Sequence, residues 1–94
     1  MMKVRWSPEA VKDLRSIFNH IQKDSQTAAE QVIQTIYAGC SSLTTSPHRG
    51  RLSRIRGWRE LVFAPLPYIA VYRVRESEQS VEISRIYHGA QNWP

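Results

Sequence analysis

Five arginines, Arg49, Arg51, Arg54, Arg56 and Arg59, stand within eleven residues, and Arg73, Arg85, Tyr87 and His88 sit in or at the end of two later apolar runs. Guanidinium groups bind phosphate or carboxylate through paired hydrogen bonds. A histidine holds or moves a proton near neutral pH. Together these residue types are the parts of a metal-independent endoribonuclease, which needs a base for the 2′-hydroxyl, cations on the transition-state phosphate and an acid for the leaving oxygen. In that reading His88 is acid or base, Arg59, Arg73 and Arg85 hold phosphate, and Tyr87 stacks a base or donates a proton. The same residues also have a structural reading. A histidine at a strand end is commonly a hydrogen-bonding partner, Glu60 beside so many arginines is an ion-pair partner, and a basic run is a solvated face.

Other chemistries lack their parts. His20, His48 and His88 are far apart and the single Cys40 has no CxxC partner, so no metal is expected. Gly39, Gly50, Gly57 and Gly89 match neither a phosphate loop nor a dinucleotide-binding spacing, so no cofactor is expected either. His20 on a polar helix face and His48 in a loop read as surface residues. A lone cysteine forms no intramolecular disulfide, and no charged-then-apolar leader opens the chain, which points to a cytoplasmic location. No apolar run approaches the ~20 residues that span a bilayer.

The net charge of +5 is unevenly spread. Residues 1–43 hold five Lys/Arg and four Asp/Glu, residues 44–75 hold seven Arg and only Glu60, and residues 76–94 hold Arg85 against three Glu. The excess lies in the middle third and consists of arginine alone. An anionic partner follows, either a nucleic acid or an acidic protein segment.

These side chains need a scaffold, and 94 residues supply one domain, 1–94. Lys3–Trp6 alternates as a strand. Ser7-Pro8-Glu9 then opens a helix: a capping hydroxyl, a proline at the first position and an acid at the positive dipole end. Val11, Leu14, Ile17, Phe18 and Ile21 form its apolar stripe. Asp24-Ser25 caps a second helix from about Thr27, with Ala29, Val32, Ile33, Ile36, Tyr37, Cys40 and Leu43 as stripe, and all stripe residues are expected in the core. The two helices form an antiparallel hairpin. Beyond the loop His48–Arg51, Leu52–Arg56 fits neither helix nor strand cleanly. Trp58–Ala64, Tyr68–Arg75 and Val81–Tyr87 read as strands in an antiparallel meander. Side-chain alternation puts Arg59 and Glu60 on opposite faces, Arg73 with Ile69 and Val71, and Arg85 and Tyr87 with Val81 and Ile83. The expected fold is α+β: an N-terminal strand, then a helical hairpin on a twisted antiparallel sheet of about four strands, with the other sheet face open.

The blocks WSPEAVKDLRSIFNHI, SPHRGR, GWRELVF, PYIAVYRV and ISRIYHGAQNWP, in this order and spacing, resemble the RelE/ParE superfamily of toxins from type II toxin-antitoxin pairs. The resemblance covers nearly the whole chain. It implies a compact domain of two helices on a twisted sheet, a cognate antitoxin whose extended segment wraps the toxin, a higher-order complex of the two, and growth arrest when the antitoxin is degraded. RelE-like members cleave mRNA on the ribosome, whereas ParE-like members poison DNA gyrase by binding. In the ribosome-dependent relatives a catalytic arginine commonly stands three residues before the tyrosine of the third strand. Here Ile69 precedes Ala70-Val71-Tyr72, so that cation is absent. Arg59 does match a basic position after the Gly-aromatic pair, and His88 falls near a terminal acid/base position. The tail HGAQNWP lacks the further basic and aromatic residues of the nucleases. The resemblance therefore implies a ParE-like gyrase inhibitor first and a RelE-like mRNA endonuclease as the alternative. Arg49, Arg51, Arg54, Arg56, Arg59 and Glu60 are then the target- or antitoxin-binding residues, and His88, Arg73, Arg85 and Tyr87 are catalytic only in the nuclease.

Overall fold

A computed structural model describes residues 1–91, so Asn92, Trp93 and Pro94 of the last block lie outside the described residues. Strand β1 (Lys3–Trp6) leads into α1 (Pro8–Gln22) and α2 (Gln26–Ser41), which a short 3₁₀ turn, Ser42–Thr44, extends. Strands β2 (Arg51–Leu52), β3 (Arg59–Val62), β4 (Tyr68–Arg75) and β5 (Ser80–His88) follow. Both helix starts are set by local chemistry. The Ala10 amide donates to the Ser7 hydroxyl at 3.0 Å with Pro8 in the first turn, and the Ala28 amide donates to Ser25 at 3.1 Å.

Among the described residues the sheet has five strands in the order β1-β5-β4-β3-β2. Strands β3 to β5 form the expected antiparallel meander, and β2 extends it by one more antiparallel strand. Two features correct the sequence reading. The Leu52–Arg56 region contributes to a short fifth strand, and β1 pairs with β5 in parallel, Val4 opposite Val81 and Trp6 opposite Ile83, so the sheet is mixed. The hairpin acts as the crossover between β1 and the meander, and a crossover is what a parallel pair requires.

Both helices pack on one sheet face, where Ala10, Ile36, Cys40 and Leu43 meet Leu61, Phe63, Ala70, Tyr72, Val81, Ile83 and Ile86. Burying side chains of this size at about 1.5–3 kcal/mol each is the main cohesion of the layers. The helical stripes are less buried than their pattern suggests: Val11 is 42% exposed and Tyr37 59%. Tyr37 instead lies flat against Trp6, ring centres 6.2 Å apart.

One irregularity controls the site. The β4–β5 register runs Val71 opposite Arg85 and then Tyr72 opposite Ile83, so Ser84 is an extra residue in β5, a bulge. Ser7 secures it: its hydroxyl caps α1 and donates to the Ser84 carbonyl at 2.7 Å. The bulge reverses the inside-outside parity of β5. Val81, Ile83 and Ile86 all face the core, whereas Arg85 and Tyr87 pair with Val71 and Ile69. Alternation had put Arg85 and Tyr87 beside Val81 and Ile83, and the bulge is why it does not.

Candidate functional site

The face turned away from the helices carries rows of side chains set by register. One row runs Arg51, Glu60, Val71, Arg85 across β2 to β5; the next runs Val62, Ile69, Tyr87. Val71, flanked by Glu60 and Arg85, is fully buried. Glu60 is the hub. Its carboxylate accepts from Arg51 Nε at 2.9 Å and from the Tyr87 hydroxyl at 3.4 Å, with only 14% of its side chain exposed. Burial, and then the adjacent Glu60 charge, push the Tyr87 phenol above its ordinary value, against the pull of Arg51 and Arg54. Tyr87 is thus a neutral hydrogen-bond donor at neutral pH.

A second cluster lies further along the same face. Arg73 Nε donates to Glu82 at 2.8 Å, and its guanidinium stacks over Trp58 with 4.8 Å to the ring centre. Arg75 reaches Glu82 at 3.5 Å and Glu78 at 3.7 Å. The Arg73 hydrogen bond holds the Glu82 carboxyl below the usual range against partial burial. Arg85 is bound too: Asp13 of α1 takes its guanidinium at 2.8 and 3.1 Å and also accepts the Ile86 amide at 2.9 Å. Asp13 thereby satisfies a β5 amide past the end of β1, and its hydrogen bond raises the Arg85 guanidinium further.

Two other arginines of the dense run, Arg59 and Arg49, do not join this face. Arg59 is in register with the core residue Tyr72 and donates to the carbonyls of Gly50 at 2.8 Å and His48 at 3.4 Å. Arg49 donates to the Ser42 hydroxyl at 2.7 Å. Both fasten the loop before β2 from the helix side. Arg54 and Arg56 are exposed in the β2–β3 connection, which turns through Gly57 at φ +90°. Strand alternation therefore divides a run that is continuous in sequence.

The proposed catalytic group is divided as well. Arg73, Arg85 and Tyr87 share the open face, but His88 has the opposite parity, pairs with Tyr68 and packs edge-on against its ring at 5.7 Å. Its Nδ1 accepts the Ala90 amide at 3.0 Å. Ile69, at the position of the missing cation, lies in the open-face row between Val62 and Tyr87.

Sequence reasoning missed a groove along the outer edge of β3. Arg49, Gly50, Arg51, Glu60, Leu61 and Val62 line a cavity of ≈ 230 Å³. A second, of ≈ 470 Å³, adjoins it through Arg49 and Val62 and is walled by Thr35, Ala38 and Gly39 of α2 with Phe63 and Ala64. The signal available was Val62 itself, an apolar residue at the end of a strand with so short a neighbour.

Comparison with known proteins places this geometry. Residues 4–93 match the family model described as ParE toxin of the type II toxin-antitoxin system parDE. The chain is 38% identical over 92 residues to a protein of Sinorhizobium fredii that carries the toxin name Y4kP, covering 98% of this chain and 93% of that one. It is 36% identical over 91 residues to toxin RelE2 of Caulobacter vibrioides, covering 97% and 99% respectively. Among solved structures, a chain of the chromosomal ParDE toxin-antitoxin system from P. aeruginosa superposes with a TM-score of 0.82 at 27% identity, over 94% of this chain and 96% of that one. The intact E. coli RelBE complex shares the fold at a TM-score of 0.65 and 17% identity, over 98% of this chain and 100% of that one.

Proposed function

The chain belongs to the ParE toxin family of type II toxin-antitoxin systems, and from that membership we propose that it arrests growth by binding DNA gyrase rather than by cutting RNA. The observation that carries this reading is the division of the four candidate catalytic residues. His88 stands across the sheet from Tyr87, while Arg73 and Arg85 are held by Glu82 and Asp13. A phosphodiester transition state needs its acid, base and cations preorganised around one phosphate, and losing one such group typically costs about 10²-fold or more in rate. Ile69 in place of a cation supports the same conclusion.

Supercoiling by purified gyrase tests the reading. Inhibition, or trapped cleavage complexes, is expected as toxin is added; unimpaired supercoiling at excess toxin rejects it. The similarity to toxin RelE2 favours a second reading, a ribosome-dependent mRNA endonuclease with His88 as acid or base and Arg59, Arg73 and Arg85 on the phosphate. Loss of a translated reporter mRNA within minutes of induction would establish that version instead. In either case the partner in the resting cell is a cognate antitoxin, as in the toxin-antitoxin systems that share this fold. Arg49, Arg51, Arg54, Arg56, Arg59 and Glu60 serve target or antitoxin binding. A cytoplasmic site of action fits both targets, and among the described residues no helix is long and apolar enough to cross a membrane.

A further inference from the structure

A third cavity lies on the helix side of the sheet. Leu52 pairs with Arg59 and Arg59 with Tyr72, so the three share that face, and Val74, two residues beyond Tyr72, joins them by alternation. The loop before β2 closes over Tyr72, whose hydroxyl binds the Pro47 carbonyl and the Gly50 amide. Past that loop Leu52 is 74% exposed and Val74 only partly buried. With His48, Gly57, Arg59 and Glu76 they line a cavity of ≈ 250 Å³, and His48 Nε2 stands 3.4 Å from the Glu76 carboxylate. Among the described residues only the terminal Met1 is a more exposed large apolar side chain than Leu52.

We propose, on the gyrase reading above, that this cavity is where the toxin grips its target: it takes one large apolar side chain of a gyrase subunit, and an acidic residue beside that side chain meets Arg54 and Arg56. Size and charge choose the occupant. At ≈ 250 Å³ the cavity falls below the roughly 300–1,000 Å³ of small-molecule sites. An apolar floor flanked by arginine is instead the kind of pocket in which a protein interface concentrates its binding energy. The connection from Leu52 to Gly57 carries Arg54 and Arg56, both exposed, so one lip is cationic. Glu76, with Glu78 on the same 3₁₀ turn, makes the other lip anionic. A DNA or RNA strand would lay phosphates against those carboxylates, and like charges in contact are unfavourable. A protein segment can present an acid to the arginine lip alone and an apolar side chain to the floor. Covering Leu52 also removes its side chain from water, which favours the bound state. None of the residues lining this cavity lines either cavity at the β3 edge, so the two surfaces can be altered separately.

Leu52→Asp tests the anchor in the supercoiling assay. Because Leu52 is already largely in water, the variant should keep the wild-type far-ultraviolet spectrum and thermal midpoint. The toxin concentration that halves supercoiling should rise by about 10-fold or more, because a carboxylate on the floor turns the apolar anchor away. The double variant Arg54→Glu, Arg56→Glu should raise it by about 3- to 10-fold, and its deficit should shrink as salt rises. Leu52→Asp should still retain the co-expressed antitoxin. A folded Leu52→Asp variant that inhibits gyrase at the wild-type concentration overturns the anchor and leaves the gyrase reading intact, and if it loses antitoxin or DNA binding instead, that partner is the occupant. Unimpaired supercoiling at excess wild-type toxin overturns the gyrase reading, and the anchor with it. Should Leu52→Asp fail to fold, methyl cross-saturation on the wild-type toxin decides. Saturating a bound gyrase subunit should attenuate the Leu52 and Val74 methyl signals, and signals that stay unattenuated in the complex overturn the anchor.

Discussion

The hydroxyl of Tyr72, fully buried in β4, accepts the Gly50 amide at 2.8 Å and donates to the Pro47 carbonyl at 2.8 Å, so a core residue pins the arginine-bearing loop to the sheet. Tyr72→Phe leaves both backbone groups without that partner and should cost about 1–3 kcal/mol in urea unfolding. Gly50→Ala attacks the same joint from the other side. An added Cβ would lie 2.7 Å from the Tyr72 ring and 2.8 Å from the Glu60 carbonyl. Because a backbone oxygen cannot swing aside, a loss of about 1–3 kcal/mol is expected there too.

Asp13 should matter for stability out of proportion to its place on a helix surface. It binds Arg85 through both oxygens and satisfies the Ile86 amide. Asp13→Ala releases a guanidinium and a strand amide together, and a shift equivalent to about 1–3 kcal/mol should appear in denaturant midpoints. Asp13→Asn, which keeps an acceptor for Ile86, should lose less.

Alkaline pH should unfold the protein through Cys40. Burial pushes this thiol from 9.0 up to about 12. A group whose proton is held more tightly in the folded state stabilises fully below its unfolded pKa and loses that contribution as pH rises toward the folded one. Stability should therefore decline above pH 9, on the order of 1 kcal/mol per pH unit from this group. Tyr72, also raised chiefly by burial, adds to the fall above pH 10. Urea midpoints between pH 8 and 11 check this, and Cys40→Ala should flatten the limb at a neutral-pH cost of about 1 kcal/mol.

His88→Ala separates the two functional readings. For a gyrase-binding toxin it alters an exposed strand end, so growth arrest and supercoiling inhibition should stay within about twofold of wild type. For a nuclease it should abolish mRNA loss. The thermal midpoint of the variant controls for the lost packing against Tyr68.

The helices and the four strands read in the sequence needed only local information. Ser7 and Ser25 cap from within three residues, and apolar periodicity marks each element without reference to any other. Membership of the toxin family was likewise legible, because five blocks in fixed order identify a fold even when no single block does. Which residues share a site was not. Face assignments on β3 and β4 followed from alternation and hold: Arg59 and Glu60 do oppose each other, and Arg73 does lie with Ile69 and Val71. The same rule failed on β5, since one extra residue at Ser84 inverts everything after it, and that bulge depends on Ser7, 77 positions away. Likewise β1 finds β5 in parallel only once the hairpin has carried the chain across. The arginine run looked like a single grip because charge adds up along a sequence. In three dimensions the sheet sorts it, with Arg51 paired to Glu60 on the open face and Arg59 and Arg49 bound to the loop before β2 on the other. Local pattern therefore determined the parts of this toxin, while the register of strands far apart in sequence decided which of them meet, because a pleated sheet assigns faces by pairing.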